Sequence, residues 1–294
     1  MCFEVPNFGN KALVTMKKIL LPTDFSSNSW NAISYAMQLF KDVTCKFYLL
    51  HTYTPMIYHT EFVLGNPTQY GLGDAVMERA LKKFDQLKER IDLNYNNPKH
   101  AIEVKAVFNT LVSEIKDMVK EKNIDYVVMG TKGASGIEEI LFGSNTVHVF
   151  KNVKCPILAI PENYVFESPQ EVLFPTDYEI EFDDTHMKPI IDILSLYETR
   201  INVLNVSYGY DLSEKQNINK NKLEAYLNRV SYLFHSVSNQ TVPQAISDFQ
   251  LKAHINLLVM INNKHSFFEN LFFKSTINQI GFHLNIPFLV IPAQ

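Results

Sequence analysis

The sequence predicts an α/β protein made of two tandem, doubly wound domains, each with a five-stranded parallel sheet. Three observations predict this fold. Short apolar runs alternate with helical patterns, as expected when parallel strands are connected by helices that cover both faces of a sheet. The alternation occurs twice along the chain. A length of 294 residues, of which 46% are hydrophobic, is enough to bury two ordinary cores.

The two halves of the chain repeat one another. Lys18–Phe25 (KILLPTDF) returns as Glu171–Tyr178 (EVLFPTDY), and residues 110–161 align with residues 241–292 without a gap. Self-similarity over whole supersecondary units indicates a duplication. The predicted organisation is an N-terminal extension at residues 1–15, a first domain at 16–161, a linker at 162–169 and a second domain at 170–294.

Hydrophobic periodicity sets the order of elements in the first half. Ser27, Asn28 or Ser29 is the expected N-cap of the first helix, because short polar side chains accept hydrogen bonds from helix-start amides. The second half repeats the same order with a shorter connection after its second strand. Short apolar runs predict strands at Lys18–Leu21, Lys46–His51, Val104–Phe108, Tyr126–Met129 and Pro156–Ile160. Apolar residues at helical spacing predict helices at Trp30–Phe40, Asp74–Leu93, Leu111–Lys122 and Ser144–Lys151.

Charge and hydropathy favour a cytoplasmic protein that binds small ligands. The formal net charge is −4, and Lys and Arg are dispersed along the chain rather than clustered. This distribution argues against a nucleic-acid partner and against an anionic membrane surface. No apolar run approaches the roughly 20 residues of a membrane span. Residues 1–15 have neither the basic end nor the apolar stretch of a signal peptide.

The three cysteines are predicted to be reduced thiols. Cys2, Cys45 and Cys155 are far apart in the sequence and form no Cys-x-x-Cys pair, the spacing that is typical of redox and metal sites. Cys45 and Cys155 begin strand-like runs, so we expect both to be small buried hydrophobic residues.

A glycine framework follows the predicted fourth strand. Gly130, Gly133 and Gly143 lie where an apolar run gives way to a helical pattern. Glycines let the backbone approach a phosphate closely, and the unpaired amides at a helix start point hydrogen-bond donors and partial positive charge at it. At the carboxyl end of a parallel strand, this arrangement predicts a phosphate cradle. The amides concerned are those of Ser144, Asn145 and Thr146.

The spacing Gly-x2-Gly-x9-Gly-Ser resembles the ATP-binding signature of the universal stress protein family. Lys17–Ser26 (KKILLPTDFS) is similar to the family's first strand with the acidic residue at its end, and Cys155–Pro161 (CPILAIP) is similar to its last strand. The resemblance covers nearly all of the first half. It implies a universal stress protein fold, of the adenine-nucleotide α-hydrolase-like kind. It also implies ATP as the ligand, with Mg²⁺ as an optional companion, and a nucleotide-dependent switch in the stress response.

The resemblance also assigns residues to the nucleotide. Asp24 corresponds to the acid at the adenosine end, and Thr52 to the position whose backbone reads the adenine edge. Asp24 could instead cap the first helix, Lys132 could be an ordinary solvated lysine, and Ser144 or Thr146 could cap the fourth helix. The predicted nucleotide-binding residues, with no catalytic residue and no metal ligand among them, are Pro22, Thr23, Asp24, Thr52, Met129, Gly130, Lys132, Gly133, Gly143, Ser144, Asn145 and Thr146.

Two parts of the chain depart from the family pattern. Asn109 begins an Asn-Thr-Leu segment after the third strand, where family members commonly have Gly-x-Pro. In the second half, the motif positions read Ile261, Lys264, Lys274 and Ser275. Three glycine positions there have acquired side chains that would occupy the phosphate space. The second site is therefore predicted to be closed to nucleotide.

Two other functions stay open at this point. One is a slow ATPase or nucleotidyl-transfer enzyme of the same α/β group, and the other is an interaction module that binds no nucleotide. The sequence has no P-loop, dinucleotide-binding or serine-hydrolase motif. Its histidines, among them His51, His148 and His265, do not have metal-ligand spacing. Glu138 and Glu139 are expected on a solvated helix face rather than as paired catalytic acids.

The expected partners follow from the same resemblance. Family domains usually pair through their last strands, so the two halves are expected to pair with each other as an internal pseudo-dimer. A homodimer of whole chains is a further option that the sequence leaves open.

Overall fold

The computed structural model describes residues 16–53, 72–131, 142–207, 209–262 and 285–292. In the first half they form β1 (Lys17–Pro22), α1 (Ser27–Leu39), β2 (Cys45–Tyr53), α2 (Leu72–Tyr95), β3 (His100–Phe108), α3 (Leu111–Lys122), β4 (Tyr126–Gly130), α4 (Ser144–Asn152) and β5 (Ile157–Ile160). In the second half they form β6 (Glu171–Pro175), α5 (Asp184–Leu194), β7 (Arg200–Ser207), α6 (Glu214–Leu227), β8 (Ser231–Ser238), α7 (Val242–Lys252), β9 (Leu257–Asn262) and β10 (Phe288–Pro292).

The strands form one ten-stranded sheet in the order β3-β2-β1-β4-β5-β10-β9-β6-β7-β8. Neighbouring strands are parallel within each half, whereas β5 and β10 are antiparallel, with Leu289 opposite Leu158. Each half therefore contributes a five-stranded parallel block with the same internal order. The predicted fold class, tandem doubly wound α/β units with five-stranded parallel sheets, is confirmed.

Both faces of the sheet are covered, which explains why its central strands are apolar throughout rather than alternating. In β1, Ile19 and Leu21 belong to one core cluster and Leu20 belongs to the other, and all three are fully buried. Each cluster contains residues of both halves, for example Ile19 with Val172 in the first and Leu20 with Leu173 in the second. The hydrophobic core is thus continuous across the β5–β10 seam.

Side chains also connect the two halves away from the seam. The Lys17 ammonium lies 2.6 Å from Oδ2 of Asp192 on α5. The hydroxyl of Tyr126 donates to the carbonyl oxygen of Pro189 at 2.8 Å. The hydroxyl of Tyr197 donates to the carbonyl oxygen of Leu39, the last residue of α1, at 2.9 Å.

Two predicted element starts, those of α1 and β3, are wrong by three residues or more. The N-cap of α1 is Ser26, whose side chain accepts from the Ser29 amide, so the three residues predicted as caps (Ser27, Asn28 and Ser29) lie inside the helix. The predicted third strand started at Val104, but β3 begins at His100. Sequence periodicity missed the start of β3 because it is an edge strand with charged side chains, which form ion pairs such as Lys46–Glu103.

Candidate functional site

The strand order creates a crevice at the carboxyl ends of β1 and β4. The chain leaves β1 toward β2 on one side, whereas β4 pairs with β1 on the other side. Parallel α/β sheets bind ligands outside the carboxyl ends of their strands at such a reversal of strand order. Pro22 ends β1, and Met129 and Gly130 end β4. The sheet therefore brings these predicted site residues to one place.

Gly130 allows α1 to approach the end of β4 closely. An ideal Cβ added at Gly130 would lie 2.8 Å from both Cγ and Nδ2 of Asn28, which is closer than packed side chains approach. Asn28 lies in the first turn of α1 and is 4% exposed. The glycine thus has a packing reason besides the predicted close approach of a ligand. Nothing local in the sequence pairs these two residues, so sequence reasoning missed the role of Asn28.

The two ends of the glycine segment are hydrogen-bonded to each other. The Gly143 amide donates to the Thr131 carbonyl oxygen at 2.7 Å, and the Thr131 amide donates to the Ile160 carbonyl oxygen at 2.9 Å. The start of α4 is thereby fixed beside the ends of β4 and β5. Lys132 and Gly133, which the sequence places in the cradle, lie outside the described residues, as do Glu138 and Glu139.

Helix α4 begins without a side-chain cap. Its N-cap is Gly143, which has no side chain to accept from the first amides, whereas α1, α3, α5 and α6 are capped by side chains of Ser26, Thr110, Asp183 and Ser213. Within the described ranges, the amides of residues 144–146 have no hydrogen-bond acceptor. Ser144 and Asn145 are also exposed. Three adjacent amides at a helix start form a site for an anion.

The Thr146 side chain has a different position from the one a phosphate ligand would need. Its hydroxyl lies 3.1 Å from the carbonyl oxygens of both Gly130 and Thr131, and the residue is 2% exposed. The hydroxyl proton is therefore shared between backbone acceptors. This side chain holds α4 against β4, so its hydroxyl is not a donor for a ligand.

A tight turn follows β1. The Thr23 amide donates to the Leu50 carbonyl oxygen at 2.8 Å, and Thr23 Oγ1 accepts from the Phe25 amide at 3.0 Å. Phe25 has a φ of +64°, a left-handed conformation that this hydrogen bond supports. Asp24 is exposed, and its Oδ1 accepts from the Ser26 amide at 3.0 Å. Asp24 thus lies at the crevice and also stabilises the turn that starts α1.

The end of β2 contributes Thr52 and an unpredicted histidine. Thr52 is the second-last residue of β2. It is half-buried and lies opposite Val107 of β3. His51 Nδ1 lies 2.8 Å from the Thr23 carbonyl oxygen. Because a carbonyl oxygen only accepts, Nδ1 carries the proton. His51 thus fixes the turn after β1 from the neighbouring strand, a role that its place directly after an apolar run could have suggested.

The second half reproduces this turn bond for bond. The Thr176 amide donates to the Leu204 carbonyl oxygen at 2.9 Å, and the Tyr178 amide donates to Thr176 Oγ1 at 3.0 Å. Tyr178 has a φ of +58°. The Asn205 amide side chain donates to the Thr176 carbonyl oxygen at 2.9 Å, as His51 does to Thr23 in the first half. The duplication inferred from sequence thus extends to individual hydrogen bonds.

The second half differs from the first in the side chains that contact this turn. Side-chain amides of α6 donate to the turn: Gln216 to the Asp177 carbonyl oxygen at 2.9 Å and Asn219 to that of Tyr178 at 2.8 Å. Tyr178 is 2% exposed, whereas its counterpart Phe25 is only half-buried. Ile261 takes the place of Gly130 and belongs to the core. Lys264, Lys274 and Ser275 lie outside the described residues.

Polar side chains organise the Asn-Thr-Leu segment after β3. Thr110 is the N-cap of α3, and the Asn109 side-chain amide donates to Glu114 Oε2 at 3.0 Å. The Lys105 ammonium lies 2.5 Å from Glu114 Oε1, and this hydrogen bond raises the pKa of Lys105. Polar contacts to one buried carboxylate therefore hold this loop.

Comparison with known proteins decides the family. The family model described as the universal stress protein family matches residues 15–161, which is half of the chain. The chain belongs to the universal stress protein family. This universal stress protein is 30% identical over 151 residues to the universal stress protein MJ0531 of Methanocaldococcus jannaschii, a match that covers 49% of this chain and 81% of the relative.

Two further comparisons extend the relationship. The universal stress protein MJ0577 of the same organism is 28% identical over 160 residues, covering 50% of this chain and 96% of the relative. The crystal structure of a universal stress protein from Archaeoglobus fulgidus matches with a TM-score of 0.69 at 19% identity, covering 94% of this chain and 96% of that one. The latter match shows that the fold relationship includes both halves. Among the described helices, none is long and apolar enough to cross a membrane.

Proposed function

We propose that this universal stress protein binds one molecule of ATP, alone or with Mg²⁺, in the crevice of its first half. The observation that carries the proposal is the glycine-capped start of α4, whose three amides without acceptors in the described structure lie beside the end of β4. Amides at a helix start offer both hydrogen-bond donors and the positive end of the helix dipole to a phosphate. No side chain of the described residues competes for these donors.

The predicted residues at the ends of β1 and β2 supply the second group of proposed contacts. The ends of β1 and β2 border the crevice with Asp24 and Thr52. We assign these two residues to the adenosine end, with Pro22, Thr23 and Met129 as its walls and floor. Lys132 and Gly133 remain predicted contacts of the phosphates.

The stoichiometry of one nucleotide per chain follows from the contrast between the halves. In the second half, Gln216 and Asn219 occupy the acceptors of the turn, and Ile261 adds a side chain where Gly130 has none. We infer that the second half is structural. It pairs with the first through β5 and β10, which we propose as the internal counterpart of domain pairing in the family.

The bound ATP is expected to persist rather than turn over. Hydrolysis needs an oriented water and stabilisation of the charge that develops on the leaving phosphoryl group. Ser144, Asn145 and Thr146 offer donors but no strong base. The protein would then act as a nucleotide-dependent switch in the cytoplasmic stress response, whether as a single chain or as a homodimer.

Native mass spectrometry of freshly purified protein tests the proposal directly. We expect one adenine nucleotide per chain, and titration calorimetry of stripped protein should show one ATP site. Two equivalent sites would contradict the closed second half, and no site at all would favour a pure interaction module. Phosphate release at several turnovers per second, lost in Ser144→Ala, would overturn the switch in favour of an ATPase.

A further inference from the structure

A separate cleft lies between the first turn of α1 and the middle of α2. Its volume is about 220 Å³. Of the residues assigned to the nucleotide, only Thr23 borders this cleft. The lining residues are Thr23, Phe25, Ser26, Ser29, Trp30, Lys83, Gln86, Leu87 and Arg90.

Two cations on α2 face two aromatic rings in this cleft. The Lys83 ammonium lies 5.2 Å from the centre of the Phe25 ring, and the Arg90 guanidinium carbon lies 3.7 Å from the centre of the Trp30 ring. Lys83 and Arg90 are two helical turns apart, so both lie on the stripe of α2 that faces α1. The aromatic rings hold both cations in position, which reduces the side-chain entropy that a ligand would have to overcome.

Neither cation forms an ion pair with any carboxylate in the described part of the chain. On the same helix, Lys82 pairs with Glu78 at 2.9 Å. A guanidinium stacked on an indole ring keeps its in-plane N–H donors available. Asp24 is bonded to the cleft lining, because its Oδ1 lies 2.5 Å from the Ser26 hydroxyl. The two cations of the lining, Lys83 and Arg90, therefore outnumber this one acid.

The hydroxyl groups and the helix start are already satisfied. Ser26 caps α1 by accepting from the Ser29 amide, and the Ser29 hydroxyl donates to the Ser26 carbonyl oxygen at 3.0 Å. Thr23 Oγ1 lies 3.0 Å from the Ser29 hydroxyl oxygen. A ligand would therefore be held by Lys83, Arg90 and the Gln86 amide rather than by the helix dipole.

We propose that this cleft is a second anion site, which binds a phosphate group independently of the nucleotide crevice. Two fixed cations without acidic partners match the charge of a phosphate dianion, and the planar arginine fork matches its oxygen geometry. The ligand class is inorganic phosphate or a small phosphate monoester. The inference does not depend on ATP binding, because the groups that would hold the anion, Lys83, Gln86 and Arg90, all lie on α2 and none of them is assigned to the nucleotide; Thr23 is the one lining residue that the two sites share.

The single tryptophan of the chain makes the cleft observable. Trp30 is the only tryptophan, so all tryptophan fluorescence comes from the ring that contacts Arg90 and lies 6.3 Å from the Tyr95 ring. Titration of the full chain with inorganic phosphate at constant ionic strength should give a saturable change in emission. Lys83→Gln and Arg90→Gln should each weaken binding by about tenfold or more, which is ~1.4 kcal/mol. Lys88→Gln, on the same helix but outside the cleft, is the matched control and should leave binding unchanged.

The outcomes separate this site from the nucleotide site. Persistence of the phosphate response in Gly143→Asp, together with loss of ATP binding in that variant, would support two independent sites. A small monoester such as glycerol phosphate, titrated in parallel, shows whether the cleft accepts more than the free ion. Failure of phosphate to change Trp30 emission at any concentration, or an equal response in Lys83→Gln and Arg90→Gln, would overturn the proposal. Circular dichroism of each variant verifies that the fold is intact.

Discussion

The hydroxyl of Thr146 lies 3.1 Å from the carbonyl oxygen of Gly130, joining the first turn of α4 to the last residue of β4. The contact is buried and is shared with the Thr131 carbonyl oxygen at the same distance. It fixes the direction in which the α4 amides point. The strength of the proposed phosphate site therefore depends on a side chain that does not itself face the ligand.

Replacing Thr146 by valine should destabilise the protein and weaken ATP binding. Valine keeps the shape but removes the donor, which leaves buried carbonyl oxygens without it and costs about 1–3 kcal/mol. Urea unfolding measures the loss, and titration calorimetry measures the affinity. Thr146→Ser keeps the hydroxyl and is the control. Equal ATP affinity in the valine and serine variants would show that the contact does not position the cradle.

Placing an acid at the cap of α4 should abolish ATP binding without unfolding the protein. Gly143 has φ −61° and ψ 156°, a conformation that aspartate readily adopts as a helix cap. Gly143→Asp should therefore preserve or raise stability while its carboxylate repels the phosphates. A loss of about tenfold or more in affinity corresponds to ~1.4 kcal/mol.

The asparagine variant isolates the role of charge in that experiment. Gly143→Asn has nearly the same shape and also caps the helix, but it is neutral. We expect its ATP affinity to lie between those of the native and aspartate proteins. If calorimetry gives both variants the native affinity, neither the charge nor a competing cap affects binding, and the amides are not the phosphate site.

Elements with strong local signals were predicted closely. Helix α3 was predicted at Leu111–Lys122 and lies there, because Thr110 caps its start and Asn123 ends it in the left-handed conformation, with φ +51°. The predicted start of β3 was four residues late. Its edge position tolerates charged residues whose partners lie on other elements, and a periodicity argument cannot see those partners.

The same division holds for the candidate site. Gly143 and the amides that follow it were predicted because the signal is contiguous in the sequence. Asn28 and His51 were not, since each is defined by a contact with a residue from another part of the chain. In the second half, Asn219 of α6 donates to the turn after β6, and no sequence motif marks this residue either.

Gly130→Ala should destabilise the first half through Asn28. The added Cβ would lie 2.8 Å from the Asn28 side chain. Because Asn28 is buried, its side chain has to repack, at a cost of about 1–3 kcal/mol. Urea unfolding gives the cost. In an Asn28→Ala background, which removes the three nearest atoms, the same substitution should cost markedly less. If the two substitutions change the free energy of unfolding additively, the cost of Gly130→Ala does not come from contact with Asn28.

The buried thiols should make the protein less stable at alkaline pH. Burial, followed by the charge of Asp125, raises the pKa of Cys45 from 9.0 to about 12. Since the folded pKa is above the unfolded one, the contribution to stability is complete below pH 9.0 and is lost as the pH rises toward about 12. Urea unfolding between neutral pH and pH 10 should show this decline, and Cys45→Ala should reduce its slope. If the stability of Cys45→Ala declines with pH as steeply as that of the native protein, the Cys45 thiol is not the cause of the decline.

The ion pair between Lys17 and Asp192 should couple the stabilities of the two halves. The side chains are 21% and 32% exposed, and Asp125 lies 3.7 Å from the same ammonium. Lys17→Met would leave two carboxylates near each other without their cation, whereas Asp192→Asn would leave Lys17 paired with Asp125. The lysine substitution should therefore cost more. A double-mutant cycle in urea should give a coupling energy of about 1 kcal/mol at low salt, decreasing as salt is added. Additive single effects would mean that the seam and the continuous core, rather than this ion pair, hold the halves together.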